Sequence, residues 1–188
     1  MCPLPISPFH LLAIAPLHFK RPEAFDMTAL FYSSMAVDLE LLYAFLVGGA
    51  TTHGFWHSYF FVLTIYPVGV SLFVYAIERE LEGTIFGIYR FFRFFPDKVK
   101  YSFRTVYFCC LVGGVSHVFF DMWTHRVSSY VLFPFATDNP FWIGEWSDVV
   151  FALVILLSFY TIFLWMRQML IRRRMRQGKV DRPIMSKQ

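Results

Sequence analysis

His117, Asp121 and His125 recur every four positions in an otherwise apolar run, Val115-Ser-His-Val-Phe-Phe-Asp-Met-Trp-Thr-His125. On a helix, positions i, i+4 and i+8 project from nearly one face, so two imidazoles and a carboxylate share a stripe. That mixture binds divalent metals, and it suits zinc, manganese or iron better than calcium or magnesium. Burying it among Val118, Phe119, Phe120 and Trp123 is costly unless a metal or mutual hydrogen bonds compensate. Further candidates lie upstream. His53 and His57 stand four apart in His53-Gly-Phe-Trp-His57, Asp38 and Glu40 interrupt an apolar stretch, and His10 follows Ser7-Pro-Phe.

These residues predict a metal centre built from His10, Asp38, His53, His57, His117, Asp121 and His125, holding one or two divalent ions. Zinc is the first expectation, with manganese or iron as alternatives. A metal makes water a nucleophile near neutral pH, and an uncoordinated carboxylate can take its proton. Asp38 and Glu40 are two apart and cannot fully share one helical face, so one can coordinate while the other pairs with a His or caps a distorted helix; Asp38 is taken as the ligand and Glu40 as the general base. The chemistry is that of a metal-assisted hydrolase. Residues outside any pattern get plainer readings. His18 is expected to be a hydrogen-bonding surface group, and Glu145 and Asp148 to be loop and cap residues.

The elements that must position this set are membrane helices. Of 188 residues, 57% are hydrophobic and 21% aromatic, with a mean hydropathy of +0.51; soluble domains are about 45–50% apolar. Four spans are expected: Thr28 to Val47, His53 to Ile77 with a kink at Pro67, Thr105 to Trp123, and Val149 to Met166 capped by Ser147 and Asp148. Gly113 and Gly114 can let a neighbouring helix come close. Residues 9–19 are apolar but too short to cross, so they predict a short interfacial or re-entrant helix. The stretch from Glu78 to Arg104, basic and aromatic, reads as an amphipathic surface segment. The loop from Thr124 to Asp148 reads as a lid or interfacial cap. Cys109 and Cys110, adjacent in an apolar run, read as small buried hydrophobes, and no structural disulfide is expected. One multi-pass domain over 1–170 and a basic cytoplasmic tail over 171–188, frayed or disordered at its end, complete the organisation.

Charge orients the bundle. Of the 17 Lys and Arg, six fall from Arg79 to Arg104 and eight from Arg167 to Lys187, whereas only Arg126 lies between the third and fourth expected spans. The positive-inside rule then puts both termini in the cytoplasm and the candidate ligands of the spans near the extracytoplasmic face, whereas Lys20 and Arg21 set His10 toward the inner side unless the first helix is re-entrant. The basic tail is read as a topology signal and an anionic-lipid contact, which excludes a nucleic-acid interface.

Ser7-Pro-Phe-His10, Asp38-Leu-Glu40, His53-Gly-Phe-Trp-His-Ser58 and His117-Val-Phe-Phe-Asp-Met-Trp-Thr-His125, followed by Phe133-Pro-Phe135, together resemble the membrane-bound metal-dependent hydrolase family of the inner membrane. The similarity runs from about residue 5 to residue 150. It implies a metal-dependent hydrolase, remotely akin to zinc-dependent phospholipase C and single-strand nucleases, and hence a phosphoester substrate with a lipid headgroup. Two positions depart from the family pattern. Val37 replaces a proline before Asp38, which predicts that a local helix break is absent, and Tyr59, Phe60 and Phe61 stand where a glycine often follows.

The sequence therefore predicts an all-α integral membrane helix bundle acting on an amphiphilic phosphoester or related ester, with membrane lipids as its partners. Two other classes fit less well. An ion translocator needs polar residues through the whole bilayer, and the inner halves of the second and third spans offer few. A structural or assembly protein could carry the same polar cluster as a relic.

Overall fold

The computed structural model describes residues 8–48, 54–92, 100–124, 130–137, 139–142 and 144–176. His53 and His125, two of the expected ligands, lie outside these residues, as does Cys2. The described residues contain no strand. In chain order the helices are α1 (Pro8–Ile14), α2 (Pro16–Lys20), α3 (Met27–Ala36), α4 (Leu39–Leu46), α5 (Tyr59–Leu63), α6 (Ile65–Glu80), α7 (Glu82–Phe92), α8 (Phe103–Thr124) and α9 (Gly144–Arg176), with a 3-10 turn at Phe55–His57. Among the described residues three stretches are long and apolar enough to cross a membrane: Met27–Leu46, Phe103–Trp123 and Trp146–Ile171.

Local chemistry sets the element ends. Asp26 caps α3 by accepting the Thr28 amide at 2.9 Å, and Ser58 caps α5 by accepting that of Phe61 at 3.1 Å; each satisfies an amide with no partner inside its helix. The expected continuous span from His53 to Ile77 is in fact broken. It consists of the 3-10 turn, the five-residue α5 and then α6, with breaks at Ser58 and Thr64. Pro67 lies in the first turn of α6, where its missing N–H would have had no helical partner, so it helps start a helix instead of kinking one.

A second difference concerns the first span. Val37 and Asp38 form a turn between α3 and α4 without any proline. The amides of Asp38 and Glu40 bond back three residues, to Met35 at 3.1 Å and Val37 at 3.4 Å. These tighter bonds interrupt the α pattern, so the break expected to be absent is present. The last span also differs, because α9 starts at Gly144, before Ser147 and Asp148, and continues to Arg176. Those two residues are interior to the helix instead of capping it, and the basic segment is helical to that point.

Helix α8 is the axis. It packs against α3, α6, α1, α5 and α9. Its two glycines serve two neighbours: a Cβ on Gly113 would stand 1.9 Å from Ser33 Oγ on α3, and one on Gly114 would stand 2.7 Å from Tyr66 Cε1 on α6. Helix α3 runs parallel to α8, and α6 runs antiparallel. Cys109 and Cys110 are fully buried free thiols on α8. Helix α1 joins the bundle at the level of His117, and α1 and α2 then descend beside α9, with Thr161 Oγ1 on the Leu12 carbonyl and Gln168 Nε2 3.3 Å from that of Phe19. Pro8 thus lies at the level of His117, and Arg176 lies past the opposite end of α1–α2. His18 differs too. It is fully buried on α2, with Nδ1 2.7 Å from the Phe25 carbonyl, because that short helix turns it inward beside Tyr89.

Candidate metal centre

Three elements meet at the upper part of α8. Helical spacing places His117 and Asp121 one turn apart, with Nε2 and Oδ2 separated by 3.0 Å. The turn between α3 and α4 delivers Asp38, whose Oδ1 lies 3.3 Å from His117 Nε2. The 3-10 turn delivers His57, whose Nε2 lies 3.5 Å from Asp38 Oδ1 and 3.7 Å from Asp121 Oδ2. All four residues are buried, and one donor atom from each lies within 4.8 Å of every other. Among the described residues this is the one such group.

The spacing has a chemical meaning. Zinc held by nitrogen and oxygen at about 2.0–2.1 Å makes a tetrahedron whose edges are about 3.3 Å. The four imidazole–carboxylate separations, 3.0, 3.3, 3.5 and 3.7 Å, bracket that edge, and the remaining two lie within 4.8 Å. His117 Nε2, although wholly buried and facing two carboxylates, has no hydrogen bond of acceptable geometry. A buried imidazole nitrogen left without a hydrogen bond is costly. The residues therefore fit a divalent cation, and the group Asp38, His57, His117 and Asp121 could hold one.

The surrounding residues aim the rings. His57 Nδ1 lies 3.0 Å from Glu40 Oε2, and His117 Nδ1 lies 3.1 Å from His10 Nδ1. With each Nδ1 engaged, each Nε2 faces the centre, which is how the neighbours of a metal-binding histidine fix its tautomer and orientation. His10 reaches further: its Nε2 is 3.4 Å from Asp121 Oδ1. A neutral chain satisfies these contacts, with His117 Nδ1–H donating to His10 Nδ1 and His10 Nε2–H facing Asp121.

Glu40 has a different setting from the one expected of a general base. Its carboxylate accepts the Gly54 amide at 3.1 Å and the Trp56 amide at 3.2 Å, as well as facing His57. It is thus turned to the far side of His57 instead of into the space between the four donors. The break at Val37–Asp38 is what lets two acids only two residues apart serve opposite sides of one imidazole.

Asp38, His57, His117 and Asp121 come together as the sequence reading expected. His10 stands beside them, and Glu40 stands behind His57. His53, expected to pair with His57, lies outside the described residues; His57 itself ends a 3-10 turn, Phe55–His57, that follows Gly54. Gly54 itself escaped the sequence reading: a Cβ there would lie 2.5 Å from Glu40 Oε1. Its place between two histidines was the available signal.

The chain belongs to the family described as a domain of unknown function, DUF4184, whose model matches residues 4–185. No curated protein and no solved structure matches it.

Proposed function

We propose that this protein is a membrane-bound hydrolase that uses one divalent metal, zinc first, to cleave an amphiphilic phosphoester or related ester. The observation that carries the reading is the convergence of four buried donors within 4.8 Å of one another, with both imidazoles anchored from behind. The motif resemblance to membrane-bound metal-dependent hydrolases points the same way. Asp38, His57, His117 and Asp121 hold the ion, and a bound ion polarises the ester and acidifies water near neutral pH.

The chain's own groups have distinct tasks. Glu40 and His10 are positioning residues that keep the two Nε2 atoms directed inward. Four protein donors alone would fill a tetrahedron, as in a structural site. For hydrolysis one of the two carboxylates would have to leave a position open, and Asp38 is the one whose setting suits that. It sits on a turn between two helices and also lines the adjoining apolar groove. Asp38 would then be the carboxylate placed to take a proton from water, the role expected of Glu40.

In this reading the three long apolar stretches and the broken α5–α6 pass make four crossings, α1–α2 is a partial pass, and residues 1–170 form one domain ahead of the basic tail. Basic residues on α7 and late α9 face the cytoplasm, and the membrane is the inner one. The centre lies deeper than the outer interface. Leu12, two residues past His10, meets Thr161, which is near the middle of the Trp146–Ile171 stretch.

The test is metal content of detergent-purified protein by elemental mass spectrometry, beside turnover on a panel of lysophospholipids and acyl esters. Near-stoichiometric zinc with metal-dependent release of product is the expected result. Bound metal without turnover across the panel would leave a structural ion, and absence of metal would leave a polar cluster that only joins helices.

A further inference from the structure

An apolar groove of about 600 Å³ runs between α3 and α6, a size typical of small-molecule sites. Phe31, Met35 and Leu39 form one wall, and Ile65, Gly69 and Phe73 form the other. Its one charged lining residue is Asp38, at the end formed with Trp56 and Tyr66. The Tyr66 hydroxyl is already committed to the Ser33 carbonyl, so it adds little polarity there. Phe31, Leu39, Ile65 and Phe73 are exposed along the rim, so the groove opens sideways, toward what would be lipid. Gly69 keeps it open, since a Cβ at that position would meet nothing within 4 Å.

We propose that this groove seats one acyl chain of the amphiphile, tail toward Phe31 and Phe73, so that its ester lies at Asp38. The identity of the ester rests on the hydrolase reading; the seat for the chain rests on the groove alone. From Phe31 to Asp38 the wall rises seven residues, about 10 Å at helical pitch, so it accommodates part of a chain and leaves the remainder in the bilayer. Lipid tails are as apolar as the groove, so burial within a membrane supplies little net drive. The groove acts instead by orientation: head and tail must fit together, and the reacting carbonyl or phosphorus is held where the carboxylate is.

The test places the protein in phosphatidylcholine nanodiscs with lysophosphatidylglycerol carrying a mid-chain diazirine, irradiates it, and maps adducts by peptide mass. Adducts are expected on residues 31–39 and 65–73 in excess of those on the exposed face of α9. Gly69→Phe, whose ring fills the groove, should reduce the groove adducts on the order of tenfold, the scale on which pocket volume discriminates, and leave those on α9 unchanged. Gly69→Leu makes the same comparison if the larger side chain prevents folding. Adducts spread equally over α9 and the groove, or unaffected by either substitution, overturn the proposal. Groove adducts lost in Gly69→Phe without turnover by zinc-loaded wild type would keep the chain seat and sink the hydrolase reading. Turnover of long and short chains alike by both wild type and Gly69→Phe would do the reverse.

Discussion

Glu40 shows how much one side chain depends on its immediate partners. Two backbone amides and an imidazole surround its carboxylate, so its influence on the metal passes through His57. Glu40→Gln keeps the shape but weakens the charge-assisted contact, and metal affinity should fall about 10–100-fold, as for other residues behind metal ligands. Competition with a chelator measures this directly. Gly54→Ala should give the same loss by another route, because its Cβ would stand 2.5 Å from Glu40 Oε1 and push that carboxylate aside. An unchanged affinity in either variant would mean that His57 does not ligate. His117→Ala and Asp121→Ala remove donors themselves, so elemental analysis should find near-complete loss of metal from each while both stay helical by circular dichroism. Retained metal in both would place the ion elsewhere.

At the scale of elements, the decisive contact is α3 against α8. Gly113 brings Ser33 and the backbone of Ser34 into its own van der Waals space, and that approach holds Asp38 level with His117. Gly113→Ala forces an overlap worth about 1–3 kcal/mol and should lower the unfolding midpoint in detergent. Gly69→Ala is the control on α6. It meets open space and should be neutral or stabilising by up to about 1 kcal/mol through helix propensity alone. Equal effects at both glycines would contradict the close packing. The sequence already pointed to Gly113 as a helix contact, since small residues in an apolar run have few other uses. It did not show which helix comes, because that depends on residues eighty positions away.

For the whole molecule, the distribution of charge along the bundle carries the argument. Arg79, Arg90, Lys100 and Arg104 lie on segments at the end away from the metal centre, as do Arg167, Arg173 and Arg174 on α9. If the positive-inside rule holds, a cysteine at position 174 should react with a membrane-impermeant maleimide only from the cytoplasmic side. One at position 47, past the exposed end of α4, should react only from the other side, each in a Cys2→Ser background. The reverse labelling would turn the bundle over and put the centre toward the cytoplasm.

Composition and short-range spacing were enough to determine that the described chain is helical, that it contains stretches able to cross a membrane, and that His117 and Asp121 share a face. These depend on the chemistry of neighbours within one or two turns. The sequence also marked Asp38 and His57 as polar residues too costly to bury without purpose. Only the tertiary structure decided that Asp38 and His57 meet that face and that Glu40 stands behind the centre. It also brought His10 up beside His117. The placing of Asp38, His57 and Glu40 turned on breaks, at Val37–Asp38 and Ser58, where the backbone leaves the α pattern. Such a break costs little locally and is set by what packs against it, so no periodicity in the chain announces it.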